Sequence, residues 1–95
     1  MTQFSRILMR GIIMKENLIP LDKLPVGRSG KVRKITALGN ARRRMLDLGM
    51  IYDTTIESLR KSPAGDPVAY QIRGAVIALR SEEASKVLIE AVERE

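Results

Sequence analysis

The side chains able to do chemistry in this chain are few in kind. Its 95 residues contain no cysteine and no histidine. That removes disulfides, thiolate nucleophiles, the commonest general base and the Ser-His and Cys-His pairs of covalent catalysis. It also removes the usual zinc and copper ligands. The eleven acids are scattered, with no spacing that resembles a calcium loop, so no metal site and no cofactor are expected. Asp53 and Asp66 sit in turn-forming contexts, where aspartate serves the backbone. The one Gly-Lys pair, Gly30-Lys31, is followed by Val32, and Pro25 stands where a phosphate-binding loop needs its first glycine. Neither G-x-G-x-x-G nor G-x-S-x-G occurs. The chain is therefore expected to have no enzymatic activity of its own.

What remains is charge. From Arg28 to Arg44 there are seven basic residues (Arg28, Lys31, Arg33, Lys34, Arg42, Arg43, Arg44) and no acid, within a chain of net charge +6. From Ser81 to Glu95 acids dominate: Glu82, Glu83, Glu90, Glu93 and Glu95 against Lys86 and Arg94. Such a dipolar distribution suits an acidic partner surface, and equally a solvated face that aids solubility. Single-stranded nucleic acid is a poor match, because base stacking needs aromatic side chains and the chain has only Phe4, Tyr52 and Tyr70.

The elements that must carry these charges fit one domain at this length. Residues 1–17 are expected to form a loosely ordered extension, and 18–92 the domain. The apolar residues of the extension are interrupted by Arg6 and Arg10, so it resembles neither a signal peptide nor a membrane span. Phe4, Ile7 and Leu8 could share a helical face for weak docking, and Met14 could be the true start. Leu18 to Leu21 is an extended entry, and Lys31 to Leu38 a strand whose broken alternation (Val32, Ile35) calls for a bulge or a sharply bent barrel strand. Asn40 is the expected N-cap of a helix that Gly49 ends. In that helix Ala41, Met45 and Leu48 should face inward, and Arg43 should pair with Asp47 outside. Thr54 to Lys61 is a strand with Ile56 and Leu59 as apolar members. Val68, Tyr70 and Ile72 alternate with polar or small residues, and Gly74 marks a hairpin into Ala75 to Leu79. Ser81 should cap a short helical turn, before a last strand over Val87 to Ile89 that frays from Glu90 onward. The sum is a mainly β chain: a small barrel of about five strands, with one inserted α-helix and a short helical turn before the last strand.

Four ordered segments carry a family likeness. They are Leu21-Asp22-Lys23-Leu24-Pro25-Val26-Gly27, the run Arg43-Arg44-Met45-Leu46-Asp47-Leu48-Gly49-Met50, the turn Pro63-Ala64-Gly65-Asp66-Pro67, and Gly74 through Ala78-Leu79-Arg80 to Ala84. Together they resemble the ferrous-iron transport protein A (FeoA) family. Met45, Met50 and Tyr52 depart from its more usual residues. The resemblance implies an SH3-like barrel in a cytoplasmic bacterial protein, one that assists or regulates the FeoB membrane GTPase transporter.

The contact surface expected from the residues is the helix and its flanks: Arg42, Arg43 and Arg44, of which at least two must be exposed, with Leu46 and Met50. Leu46 and Met50 either border an exposed apolar cleft or belong to the core. Two other readings stand beside protein binding. One is a basic barrel that binds nucleic acid; the other is a detached regulatory domain like those of iron-dependent repressors.

Overall fold

The computed structural model describes residues 18–92, so the expected extension over 1–17 lies outside the described residues. The strands are β1 (Leu18–Pro20), β2 (Ser29–Ile35), β3 (Thr55–Lys61), β4 (Val68–Ile72), β5 (Ala75–Leu79) and β6 (Val87–Val92). Helix α1 (Gly39–Asp47) is inserted between β2 and β3, the single turn α2 (Ser81–Ala84) precedes β6, and a 3-10 turn (Leu21–Lys23) follows β1. All six strands join one antiparallel sheet in the order β1-β6-β2-β3-β4-β5. The mainly β expectation holds, with two amendments. The extended entry Leu18–Pro20 pairs as a sixth strand, and the sheet is open, because β1 and β5 are edges and do not pair with each other.

Two irregularities fold this sheet onto a single core. The β2–β6 register shifts between Val32 and Lys34, a bulge, as the broken alternation allowed. The β3–β4 register shifts between Ser58 and Arg60. The two apolar members of β3 part company there: Ile56 is buried, as is Ser58, while Leu59 is only half-buried. Strand period puts 56 and 58 on one face, and the bulge takes Leu59 out of step. In β4, Val68, Tyr70 and Ile72 all point inward as their alternation required. They pack with Leu21, Leu24, Val32, Met50, Ile56, Leu79, Val87 and Ile89 in one aliphatic cluster.

The final strand runs further than expected. Instead of fraying, Glu90 to Val92 stays paired, because Ser29, Gly30 and Lys31 offer it a partner edge. Arg73 and Gly74 both have positive φ (51° and 84°), forming the two-residue turn that joins β4 to β5. Ser81 does not cap α2. Its own N–H donates to Asp66 Oδ1 at 2.8 Å, so the Pro-rich turn supplies the acceptor, while the Arg80 N–H donates to Glu83 Oε1 at 3.3 Å.

Candidate functional site

Helix α1 lies on the sheet by a narrow footing. It starts at Gly39 with Leu38 at the N-cap position and no side-chain cap, two residues ahead of the expected N-cap Asn40. Of the three residues expected to face inward, only Met45 is buried; Leu48 is half-buried and Ala41 is exposed. The helix ends as its sequence required. The Gly49 N–H donates to the Leu46 carbonyl at 3.0 Å and the Met50 N–H to the Met45 carbonyl at 3.1 Å, with Gly49 at φ +100°. That pair of bonds is a Schellman cap, whose geometry brings the residue after the glycine back against the last turn. Met50 is thereby folded into the core with no exposed surface.

Beyond Met50 the chain turns outward. The Thr54 N–H donates to the Ile51 carbonyl at 3.1 Å, closing a turn with Tyr52 and Asp53 at its tip, and Asp53 has a positive φ of 74°. Ile51 is 43% exposed and Tyr52 71% exposed. On the helix, Leu46 is 39% exposed, and Leu38 at the N-cap 82%. Leu38, Arg42 and Leu46 follow at four-residue spacing and so share one helical face. Between this face, the end of β2 and the Met50–Tyr52 segment lies a cleft of about 150 Å³, lined by Lys34, Ile35, Arg42, Leu46, Ile51 and Tyr52 among others.

The arginines of the helix diverge. Arg42 donates from Nη1 to the Ile35 carbonyl at 3.1 Å, spanning the mouth of the cleft. Arg44 turns the other way and pairs with Glu83 of α2. Arg43 is exposed, and the expected pair with Asp47 does not form among the described residues. Under the Tyr52 ring, 5.2 Å from its centroid, sits the Arg33 guanidinium. Arg33 bonds Asp53 Oδ1 at 2.7 Å and Glu90 Oε1 at 2.9 Å, and Lys31 lies 3.9 Å from Asp53. The Arg33 hydrogen bond, helped by the Lys31 charge, holds the Asp53 carboxyl below the usual carboxylate range. Among the described residues, no three acids converge on a point where a metal ion could sit.

Of the five residues singled out in the sequence, the fold thus brings Arg42, Leu46 and Met50 to one cleft, with Met50 as its floor. Arg43 is exposed outside the cleft's lining, and Arg44 is committed to Glu83. Ile51 and Tyr52, which also line the cleft, were missed. Their signal was the glycine cap itself: once Gly49 sends Met50 inward, the residues after it must emerge again.

An open antiparallel sheet with an inserted helix and an apolar, cation-rimmed cleft defines a small β domain of SH3-like class. Solved structures share it. A FeoA-like protein from Clostridium acetobutylicum is 32% identical and superposes with a TM-score of 0.77, over 83% of this chain and 92% of that one. The FeoA of Stenotrophomonas maltophilia, a prokaryotic SH3 domain protein solved with zinc, is 28% identical with a TM-score of 0.67, over 74% and 87%. A manganese-dependent transcriptional repressor, at 20% identity and a TM-score of 0.71 over 79% of this chain and 42% of that one, shares the fold alone. The FeoA domain profile matches residues 19–91, and the chain belongs to the FeoA family. It is also 31% identical over 72 residues to a fusion of Fe(2+) transport protein A with the Fe(2+) transporter FeoB from Porphyromonas gingivalis. The match covers 76% of this chain and 8% of that much longer protein.

Proposed function

We propose that this protein is a non-enzymatic accessory of ferrous-iron uptake that docks its α1 cleft on the cytoplasmic part of a FeoB-type GTPase transporter. The carrying observation is the Porphyromonas fusion, in which a segment similar to this chain shares one polypeptide with FeoB. Covalent linkage makes contact between such parts effectively intramolecular. The cleft has the composition of a contact site, with an aromatic and two aliphatic side chains exposed inside a cationic rim. Arg42 and Arg43 would meet carboxylates of the partner, while Leu46, Ile51 and Tyr52 would fill its apolar surface.

The basic run favours a protein over nucleic acid. Arg33 and Lys31 face Asp53, Arg33 also faces Glu90, and Arg44 faces Glu83, so much of the run is already neutralised within the fold. Of the run, Arg28, Lys34, Arg42 and Arg43 keep no acid partner among the described residues. Only Lys34 and Arg42 of these line the cleft, too few charges for a phosphate track. Titrating the isotope-labelled protein with the transporter's cytoplasmic domain should shift amides over 38–52. Leu46→Glu and Arg43→Glu should each weaken binding about tenfold, a loss of about 1.4 kcal/mol. No binding at about 100 μM, or shifts confined to other elements, would refute the reading.

A further inference from the structure

The two edges of the open sheet are built differently. β1 is three residues long and contains Pro20, which has no N–H to offer, so it is a blunted edge. β5, Ala75-Val76-Ile77-Ala78-Leu79, carries no charge, no proline and no bulge, and its register to β4 is continuous. Its ladder partners all lie in β4, and no other backbone hydrogen bond among the described residues reaches it. Val76 is 58% exposed, and Ala75 and Ala78 are exposed as well. No charge lies on the strand itself: Arg73 in the turn and Arg80, 3.8 Å from Asp66, stand off its ends, and Arg60 and Lys61 of β3 border the groove beside Ala78. None of the usual guards against edge-to-edge pairing is present on this strand.

We infer that β5 is a self-association edge, pairing antiparallel with β5 of a second copy of this chain across a two-fold axis. The register follows from the hairpin. In a two-residue turn the flanking residues, Ile72 and Ala75, form a hydrogen-bonded pair, and the pattern then alternates. Ala75, Ile77 and Leu79 therefore spend their main-chain groups on β4, while Val76 and Ala78 point theirs outward. Setting Val76 opposite Ala78 of the second copy, and the reverse, makes about four main-chain hydrogen bonds, with Ile77 of both copies on the axis. The same register places the exposed Val76 side chain against Ala78, beside a shallow groove of about 290 Å³ bordered by Pro63, Pro67, Ala69 and Ala78 and by Arg60 and Lys61 of β3. A second copy suits this edge because its two outward-facing residues are complementary to themselves about the two-fold axis, the larger Val76 of each copy meeting the small Ala78 of the other.

Two short strands bury much less than the roughly 1,200 Å² of a stable interface, so the dimer is weak and forms only toward millimolar protein concentration. The net charge of +6 opposes it, so added salt should strengthen it. Docking on an acidic partner through α1 should instead weaken with salt. The two proposals can thus fail separately.

The test is a dilution series of the labelled protein from about 1 mM to 20 μM, followed by amide shifts and sedimentation. Concentration-dependent shifts should centre on 75–79. In a mixture of labelled and unlabelled protein, Val76 of one copy should contact Ala78 of the other. Val76→Lys and Ala78→Lys, both at exposed positions, should each weaken the dimer at least tenfold without moving the thermal midpoint. A monomer at about 1 mM, a dimer untouched by both lysines, or contacts that map elsewhere would overturn the inference.

Discussion

At the residue scale, Tyr70 gives the clearest test of what burial does. It is 1% exposed in the core, and its hydroxyl reaches only to the Leu21 carbonyl, at 3.5 Å. Burial first, then the negative charges of Asp22 and Asp66, push its pKa from 10.0 up to about 12. The neutral phenol is thus preferred in the folded state. Its contribution is intact below pH 10 and is lost as pH rises toward 12, where the unfolded chain ionises first. Stability measured by urea titration should fall through that window. Tyr70→Phe should flatten the fall while costing at most about 1 kcal/mol at neutral pH, because the hydrogen bond it removes is long. Gly49 offers a second test. At φ +100° its absent side chain is required, and a Cβ there would also stand 3.3 Å from Arg73 Cδ and 3.4 Å from Ile72 Cγ2. Gly49→Ala should destabilise by about 1–2 kcal/mol and loosen the placement of Met50, read as lost amide protection at residues 48–52.

At the element scale, α1 is held by little. Met45 is its one buried side chain, and the bonds from Arg42 to Ile35 and from Arg44 to Glu83 are exposed. Such bonds contribute at most about 1 kcal/mol each, whereas a buried methionine contributes about 2–5 kcal/mol relative to alanine. Met45→Ala should therefore release α1 before the sheet, and hydrogen exchange should quicken first over 39–50. The same balance explains what could be read in advance. The strands were legible because alternation in β4 and the two-residue hairpin are local signals. The bulge in β2 was legible because Val32 and Ile35 fall out of step. The half-burial of Leu59 beside buried Ile56 was not legible, because an apolar residue at a bulge looks like any other apolar member of its strand. The inward face of α1 was overdrawn because helical spacing says which residues align, not how deep the helix sits. Glu90's strand and its bond to Arg33 depend on pairing with residues some sixty positions away, which no local pattern carries.

At the scale of the whole molecule, the cleft could be located in sequence by Arg42, Leu46 and Met50, but its outer wall could not. Ile51 and Tyr52 reach it through a helix cap and a turn that only the assembled chain displays. Two surfaces follow from the assembly. The α1 cleft is polar-rimmed and suits an acidic partner, while the β5 edge is uncharged and suits its own copy. Salt should push them in opposite directions, so one titration series at low and high ionic strength separates them. If both hold, the domain could present two docking clefts from one dimer.

The pairing of β1 with β6 sets Leu18 opposite Glu90. The domain's entrance and exit are therefore neighbours, like the two legs of a staple. A longer polypeptide could take up such a unit as a side loop without parting its own path, and a unit joined at one end would swing from a single pivot. A tether fixed there leaves the opposite surfaces free to turn, so its length, more than its sequence, would decide how far they reach.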